Sequence, residues 1–290
     1  MVISIYKTPK HYQDMNTRIA SFSFIIIIAI VLAVSGCTQT SDSSFVKAVY
    51  DNEPRLDNGH IDIPLLISQI KENNANTYNY LIWHSEHDWE DLPGFLEEAE
   101  KEGIDVWITI SPPQETVSQP FGIDYMKWAE EIAMLSLKYP CIKVWSIDNI
   151  LLFAGAEHEQ YFSGVFSKAN DINPKLEFIP VVYYSDVQSA NFGVYGKYFN
   201  GVQFYYKIFP SAEGFGGYQQ AEAQIKGLRS IYSGKIIFGI YATPWQEAYP
   251  TTPNYVKELI KTAKQNADGV VIYTMQQGGE KFDVIKEGFK

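Results

Sequence analysis

Three consecutive stretches in the middle of the chain decide the fold. Residues 105–111 read Asp-Val-Trp-Ile-Thr-Ile-Ser, residues 124–138 read Asp-Tyr-Met-Lys-Trp-Ala-Glu-Glu-Ile-Ala-Met-Leu-Ser-Leu-Lys, and residues 142–148 read Ile-Lys-Val-Trp-Ser-Ile-Asp. The first and third are short, mostly apolar, and rich in β-branched and aromatic residues, which is typical of buried strands. The middle stretch has apolar residues three to four positions apart, which is typical of an amphipathic helix. Together they predict two parallel strands joined and covered by a helix.

The same alternation extends from residue 46 to the end of the chain. It predicts eight strands, at Val46–Glu53, Thr77–His84, Asp105–Ser111, Ile142–Asp148, Leu176–Tyr184, Gly201–Tyr206, Lys235–Thr243 and Gly269–Met275. It predicts helices at Ile63–Asn73, Asp91–Glu102, Asp124–Lys138, Gln160–Asn170, Gln219–Tyr232, Asn254–Asn266 and Phe282–Gly288, with a weak helical region at Asp186–Tyr198. Eight strand–helix units in about 245 residues match the size of a closed (βα)8 TIM barrel, an α/β fold. The alternative is an open doubly wound sheet, which would need a Gly-rich turn that does not follow the first strand.

The N-terminal segment departs from this pattern. Basic residues at Lys7, Lys10 and Arg18 precede an apolar run over residues 21–34, which is followed by Ser35-Gly36-Cys37. A basic region, a short apolar region and small residues before a cleavage point are typical of a signal peptide. The Ser-Gly-Cys sequence resembles the lipobox of bacterial and archaeal lipoproteins, in which the cysteine is lipidated.

This segment determines the predicted domain organisation and location. We expect a signal peptide over residues 1–36, a lipid anchor at Cys37, a polar tether over residues 37–45 and a single barrel domain over residues 46–290. An uncleaved membrane anchor is the alternative, although the apolar run is shorter than the ~20 residues that span a bilayer. Met15 is an alternative start that would give a shorter signal. The lipid anchor and the uncleaved anchor both predict that the rest of the chain lies on the outer face of the cell membrane.

Composition limits the partners. The formal net charge is −11, and a strongly acidic surface repels nucleic acids and anionic lipid headgroups. The chain has two cysteines, so a disulfide framework is not expected. Aromatic residues make up 15% of the chain, which suits either an aromatic core or the stacking of sugar rings.

Functional residues of a (βα)8 barrel lie at the carboxyl ends of its strands. The carboxylates expected there are Asp51, Glu53, Glu86, Glu115, Asp148 and Glu247. The aromatic and other polar groups expected there are His84, Tyr183, Tyr205, Tyr241, Trp245, Tyr273 and Gln276. Aromatic rings pack on the C–H faces of sugars, while amides and carboxylates bind hydroxyl groups, so this set favours a carbohydrate ligand.

Asp148 is the central candidate. The two-residue period of the fourth strand puts Trp145 and Ile147 on one face, and Ser146 and Asp148 on the other. Large apolar residues are expected to face the helices, so Asp148 is expected to point into the barrel at its rim. A carboxylate is costly to bury there, which favours a functional role. The alternative is a structural aspartate that hydrogen-bonds to neighbouring strand ends or caps the next segment.

Two resemblances support this interpretation. Val144-Trp-Ser-Ile-Asp148, Gln203-Phe-Tyr-Tyr206 and Gly269-Val-Val-Ile-Tyr273 resemble the glycoside-hydrolase-type barrels, including the chitinase-like group. Tyr80-Leu-Ile-Trp-His84, Asp88-Trp-Glu-Asp-Leu-Pro93 and Phe121-Gly-Ile-Asp-Tyr125 with Trp128-Ala-Glu-Glu131 are similar to a group of exported bacterial and archaeal barrels with no established activity. The second resemblance covers most of residues 46–290.

The sequence departs from both established glycosidase patterns. The chitinase-like pattern implies Asp-x-Asp-x-Glu on the fourth strand, with the glutamate as acid, but these positions hold Ser146, Asp148 and Ile150. The other large group implies Asn-Glu at the end of that strand and a glutamate on the seventh strand. Here Asp148 is followed by Asn149, and Glu247 lies beyond the seventh strand. Neither catalytic pair is intact.

Three functions therefore stay open, and whether the chain is an enzyme is undecided. The first is a membrane-anchored, extracytoplasmic glycoside hydrolase that uses paired carboxylates on a poly- or oligosaccharide. Its pair would be Asp148 with one of Glu53, Glu86, Glu115 and Glu247. The second is a non-catalytic carbohydrate-binding or surface protein on a degenerate glycosidase barrel. The third is a metal-assisted barrel hydrolase.

A metal site near His84 is the basis of the third function. His84, His87 and Asp88 lie at a strand end and the loop after it, and this spacing fits known zinc motifs poorly. We therefore expect both histidines to form hydrogen bonds in the barrel mouth, and we expect neither a metal nor a cofactor. A serine nucleophile is not expected, because the chain contains no Gly-x-Ser-x-Gly sequence.

Overall fold

A computed structural model of the chain describes residues 45–83, 85–115, 117–206, 219–243 and 251–290, all within one structural unit, Phe45–Lys290. The predicted signal peptide, the lipidation site Cys37 and residues 37–44 of the tether lie outside the described residues. Of the helices that the structure describes, none combines the length and the apolar character needed to span a bilayer.

Strands and helices alternate along the described chain. In order they are β1 (Val46–Tyr50), α1 (Ile63–Glu72), β2 (Thr77–Ile82), α2 (Asp88–Lys101), β3 (Asp105–Ile110), α3 (Tyr125–Lys138), β4 (Ile142–Ile147), α4 (Ile150–Phe153), α5 (Glu159–Ile172), β5 (Glu177–Phe178), β6 (Val181–Tyr183), α6 (Tyr184–Val187), α7 (Ala190–Tyr195), β7 (Gly201–Tyr205), α8 (Gln219–Ile231), β8 (Lys235–Tyr241), α9 (Pro253–Asn266), β9 (Gly269–Tyr273) and α10 (Gly279–Gly288). The predicted α/β class is therefore confirmed.

Several helix starts follow from capping residues. The side chain of Asp62 accepts a hydrogen bond from the N–H of Leu65 at 3.1 Å, and Pro64 occupies the first turn of α1. The side chains of Asp124 and Thr252 begin α3 and α9 in the same way. Such caps satisfy N–H groups that have no partner within the helix. Each of these helices buries one apolar face against the sheet.

All nine strands are parallel and form one curled sheet in the order β5-β4-β3-β2-β1-β9-β8-β7-β6. The two strands at the ends of this order are separated in the chain only by Ile179 and Pro180. The Ile179 N–H donates to the Trp145 carbonyl of β4 at 3.1 Å, and the Gln203 N–H of β7 donates to the Pro180 carbonyl at 2.8 Å. Pro180 has no N–H to donate, which accounts for the split of the predicted fifth strand into β5 and β6.

A buried polar network crosses the concave side of the sheet. Thr109 donates to the side-chain oxygen of Asn79 at 2.6 Å, and the Asn79 amide donates to the side-chain oxygen of Gln203 at 3.1 Å. The Gln203 amide in turn donates to Ser146 at 3.3 Å. All four side chains are fully buried. Since β2 and β7 are not neighbours in the sheet, the bond between Asn79 and Gln203 spans its interior.

The outer face of the sheet forms the larger apolar core against the helices. Trp145 of β4 lies there, with its ring centroid 6.4 Å from that of Phe166 in α5 and 4.5 Å from that of Phe178. Ser146 lies on the inner face, in the network described above. The predicted alternation along the fourth strand is therefore confirmed.

Candidate active site

A cleft opens at the carboxyl ends of the strands. It encloses about 520 Å³, counting the space open to solvent. Its lining residues are Tyr50, Leu81, Trp83, Ser111, Glu115, Asp148, Val181, Tyr183, Tyr205, Tyr241 and Tyr273. Most of them end a strand or directly follow one, so the cleft lies where functional sites of barrel proteins are found.

Five tyrosines dominate the lining. Tyr50, Tyr273 and Tyr241 are paired in register on β1, β9 and β8, which puts their rings at the same height. The ring centroids of Tyr50 and Tyr273 are 4.9 Å apart, and those of Tyr241 and Tyr273 are 5.8 Å apart. The hydroxyl groups of Tyr183 and Tyr241 are 3.2 Å apart, within hydrogen-bond distance. The tyrosines therefore form one continuous aromatic surface with hydroxyl groups on it.

Tyr205 depends on a glycine in the neighbouring strand. Tyr205 and Gly239 are paired in register, and a Cβ atom at Gly239 would lie 2.4 Å from Cγ of Tyr205. The ring occupies the volume that any larger residue at position 239 would take. The Tyr205 hydroxyl is buried and makes no hydrogen bond with any described residue. Buried polar groups are rarely left in this state, so a ligand hydroxyl is a natural partner for it.

Asp148 and Glu115 supply the negative charge of the cleft. Asp148 follows β4, and its N–H donates to the Ile110 carbonyl at 3.0 Å. Burial, followed by the charge of Asp148, raises the pKa of Tyr50 and Tyr183 far above its ordinary value. Burial also raises the pKa of Tyr273, with smaller contributions from Asp51, Asp148 and Glu115. The phenol groups are therefore neutral hydrogen-bond donors beside two carboxylates.

Glu53 is buried but does not line the cleft. One carboxyl oxygen accepts the Leu81 N–H at 3.2 Å and lies 3.4 Å from the Tyr78 hydroxyl. The other is 3.6 Å from Nη2 of Arg55. Burial raises the pKa of the Glu53 carboxyl to about 8, against the opposing effect of the Arg55 charge. Its contacts place it in the layer between sheet and helices, since Tyr78 packs on Phe95 of α2.

The other predicted residues have different positions. Asp51 is half-buried outside the cleft lining, and burial raises its pKa to about 6. Glu86 is exposed, and the Gln276 amide donates to the Thr274 carbonyl at 2.8 Å. His84, Trp245 and Glu247 lie outside the described residues. Among the predicted site residues, the structure brings together Asp148, Glu115, Tyr183, Tyr205, Tyr241 and Tyr273.

Five lining residues are not among those predicted from the sequence, namely Tyr50, Leu81, Trp83, Ser111 and Val181. The signal was present for Tyr50, because the period of two that places Ala48 inside also places Tyr50 inside. The same period of two, starting from the inward-facing Asn79, predicts that Leu81 and Trp83 also face inside. Charged residues after a strand, by contrast, point in directions that the strand period does not determine.

Comparison with known proteins shows what the fold is similar to. No family model matches the chain, and no curated protein matches it in sequence. The structure is similar to a β-D-glucuronidase from Dictyoglomus thermophilum, with a TM-score of 0.59 and 16% identity over 84% of this chain and 50% of that one. It is similar to Cel5A of Thermotoga maritima, solved in complex with cellobiose, with a TM-score of 0.58 and 10% identity over 84% and 98% of the two chains.

A third similar structure is the GH18 chitinase ChiB from the chitin utilization locus of Flavobacterium johnsoniae. The TM-score is 0.55 at 9% identity, over 85% of this chain and 94% of that one. The chain spans about half the length of the β-glucuronidases and β-galacturonidases that it matches. At these identities the likeness shows a shared fold, and it confirms the predicted resemblance to glycoside-hydrolase-type barrels.

The buried carboxyl of Glu53 makes stability depend on pH. Its pKa of about 8 in the folded state lies above the ordinary value of 4.5. Its contribution to the free energy of unfolding is therefore complete below pH 4.5 and is lost as the pH rises through about 8. We expect Glu53→Gln, which keeps a neutral side chain at every pH, to gain at least about 1 kcal/mol relative to the wild type between pH 5 and pH 9.

Urea unfolding at several pH values measures this difference. Glu86→Gln is the matched control, because Glu86 is an exposed carboxyl in the next connection, and its stability should follow that of the wild type. Parallel pH profiles for Glu53→Gln and the wild type would contradict the effect.

Proposed function

We propose that the chain is a carbohydrate-active protein that binds and cleaves a poly- or oligosaccharide in the tyrosine-lined cleft. The observation that carries the proposal is the cleft itself, at the carboxyl ends of the strands of a fold shared with glycosidases. Five tyrosine rings and Trp83 offer faces for sugar C–H groups, and neutral phenol hydroxyls offer donors for sugar oxygens.

We further propose that the sheet is a closed eight-stranded barrel. In this proposal β5 and β6 are a single strand interrupted at Pro180, which corresponds to the fifth predicted strand. The bonds from Ile179 to β4 and from β7 to Pro180 support it, as does the bond between Asn79 and Gln203 across the interior. A closed barrel leaves no open sheet edge beside the cleft.

The proposed catalytic pair is Asp148 and Glu115. They are the two carboxylates among the described residues that line the cleft, and glycoside hydrolysis uses one carboxyl as acid and another as base or nucleophile. In the proposed mechanism, the Asp148 carboxylate stabilises the positive charge that develops on the sugar ring. Glu115, on the loop after β3, donates a proton to the leaving oxygen as the glycosidic bond breaks. Water then bonds to the anomeric carbon and returns a proton to Glu115. Glu247 stays an alternative partner.

The charge of the cleft favours one class of sugar. Among the described residues that line it there is no Lys, Arg or His, while Asp148 and Glu115 supply two carboxylates. A uronic acid would bring a third carboxylate into this field and would be repelled. The proposed substrate is therefore a neutral or amino sugar.

A non-catalytic carbohydrate-binding protein is the second candidate. It is favoured by one observation, since the fourth strand lacks the glutamate of the chitinase-like pattern. Ile150 stands in that position and is fully buried. A cleft with tyrosines and Asp148 but without a working acid would bind sugar and leave it intact.

For the protein as a whole we propose export and a lipid anchor at Cys37, on the outer face of the cell membrane. The basic, apolar and Ser-Gly-Cys segments of the sequence support this. The proposal brings the barrel to extracellular polysaccharides and assigns it no nucleic acid partner.

The closed barrel is tested by amide hydrogen exchange. We expect the N–H groups of Ile179 and Gln203 to exchange as slowly as those in the middle of β3, because closure hydrogen-bonds and shields both. Lys143, an exposed residue of β4, serves as a reference for a strand position at the surface. Fast exchange at both Ile179 and Gln203 would mean that the sheet is open between β5 and β6.

The function is tested by activity and binding on a panel of neutral, amino and uronic oligosaccharides. We expect Asp148→Asn and Glu115→Gln each to lower kcat/KM on the cleaved sugar by a factor of about 10² or more, while the sugar still binds. Glu86→Gln is the control and should keep full activity, since Glu86 is exposed outside the cleft.

Other outcomes of this experiment separate the candidates. Binding by the wild type without turnover would favour the second candidate. Neither binding nor turnover on any sugar would contradict both, and full activity in Asp148→Asn would remove Asp148 from the mechanism.

The location is tested by cell fractionation in a bacterial or archaeal host. We expect the wild type in the membrane fraction with a lipid-modified N-terminus, and Cys37→Ser without the lipid, because the thiol is the attachment point. Cys141→Ser is the control, since Cys141 is buried within the barrel domain. Lipid on the Cys37→Ser variant, or a wild type without lipid, would contradict the anchor.

A further inference from the structure

Two histidine rings are stacked at the rim of the sheet, outside the cleft. The ring centroids of His60 and His87 are 4.0 Å apart, with an angle of 32° between the ring planes. One ligand atom from each of His60, His87 and Glu90 lies within 4.8 Å of the other two. None of the three residues lines the cleft. Two imidazoles and a carboxylate in such proximity are the elements of a transition-metal site.

The backbone brings these groups together from two separate connections. His60 lies between β1 and α1, in a turn closed by the bridge between Arg55 and Ile61. Gly59 has a positive φ of 86°, and a Cβ atom there would lie 3.5 Å from the His87 ring. The glycine thus lets this turn lie directly against the imidazole. His87 directly precedes α2, and Glu90 follows it by one turn.

A carboxylate orients His60. Asp91 lies with one carboxyl oxygen 2.7 Å from Nδ1 of His60, while its other oxygen accepts the Ile61 N–H at 2.8 Å. A carboxylate accepts hydrogen bonds, so Nδ1 of His60 is the donor in this contact and Nε2 is the ring nitrogen that can face a metal. Metal-binding histidines in proteins are commonly held in this way. Asp91 is itself largely buried, which fixes the orientation.

The separation of His87 and Glu90 also fits a metal. Nδ1 of His87 is 3.2 Å from a Glu90 carboxyl oxygen. Two ligand atoms of a tetrahedral zinc ion lie about 3.3 Å apart, given bond lengths of ~2.0–2.1 Å. A zinc ion would fit between these two atoms, and the ligand atom of His60, which lies within 4.8 Å of both, would need to approach by about 1.5 Å or less to complete the set.

We propose that His60, His87 and Glu90 bind one divalent transition-metal ion, with Zn²⁺ as the preferred ion and Asp91 as a positioning residue. Three protein ligands leave a fourth position for water or a ligand oxygen. The sequence predicts no metal site, and the alternative cluster in it combined His87 with His84 and Asp88. In the structure the Asp88 carboxyl instead forms an ion pair with Arg55 and accepts hydrogen bonds from the N–H groups of Trp83 and Ser85. The site is independent of the proposed glycosidase function.

The test is metal binding by the metal-free full chain, measured by calorimetry with Zn²⁺ and by the absorption spectrum of bound Co²⁺. We expect a site of one ion per chain, and Zn²⁺ should raise the melting temperature. His60→Ala and His87→Ala should each weaken the affinity for Zn²⁺ about 10-fold or more, and Asp91→Asn should weaken it about 10-fold. Ca²⁺ and Mg²⁺ should not compete, because they prefer oxygen ligands.

His158→Ala is the matched control. His158 is an exposed histidine that also has a carboxylate nearby, with Nδ1 3.7 Å from a Glu157 oxygen, and its loss should leave the affinity unchanged. Circular dichroism of each metal-free variant verifies that it is folded. His60→Gln, which keeps a polar side chain, provides a second variant if His60→Ala does not fold. The proposal would be overturned if the wild type did not bind Zn²⁺, or if His60→Gln and His87→Ala bound it as tightly as the wild type. It would also be overturned if His158→Ala lost as much affinity as the ligand variants.

Discussion

The hydrogen bond between Asn79 and Gln203 is the constraint on which the site depends. It joins two fully buried amides across the interior, and Thr109 and Ser146 complete their hydrogen bonding. Buried amides tolerate little change in register, because a shift would leave several polar groups without partners. Two positions further along each strand, on the same face, lie Leu81, Ser111, Asp148 and Tyr205. All four line the cleft, so the polar layer fixes the height of the site above it.

Burial then determines the chemistry of the cleft. Burial raises the pKa of the phenol groups, and the charge of Asp148 raises it further at Tyr50 and Tyr183. Each hydroxyl therefore keeps its proton next to a carboxylate. In the proposed reaction this arrangement would offer donors to sugar oxygens and would keep the negative charge at the point where positive charge develops. The cleft therefore combines neutral hydrogen-bond donors with two carboxyl groups.

The sequence predicts the strands and their inward faces because apolar periodicity is a local property. It places Asp148, Tyr205 and Tyr273 correctly, since each lies on or directly after a strand. It does not separate Glu53 from Glu115, because both lie in connections beyond the strands, where tertiary contacts decide the direction of a side chain. The pairing of His60 with His87 is equally non-local, since it joins two different connections. The division of the fifth strand follows from Pro180, which removes one donor from a short strand.

Glu53 and Asp88 show why carboxylates at strand ends are ambiguous in a sequence. The ladder between β1 and β2 has two residue pairs, whereas that between β2 and β3 has six. The end of β2 therefore lacks a strand partner on one side, and Glu53 accepts the Leu81 N–H in its place. Asp88 does the same for the Trp83 N–H, at 2.9 Å. Both N–H groups belong to cleft-lining residues, so these two buried carboxyl groups hold the wall of the site. Arg55 forms an ion pair with Asp88 and lies 3.6 Å from Glu53. It also donates to the carbonyl of Gly59, which lies against the His87 ring, so Arg55 links the cleft wall to the histidine pair.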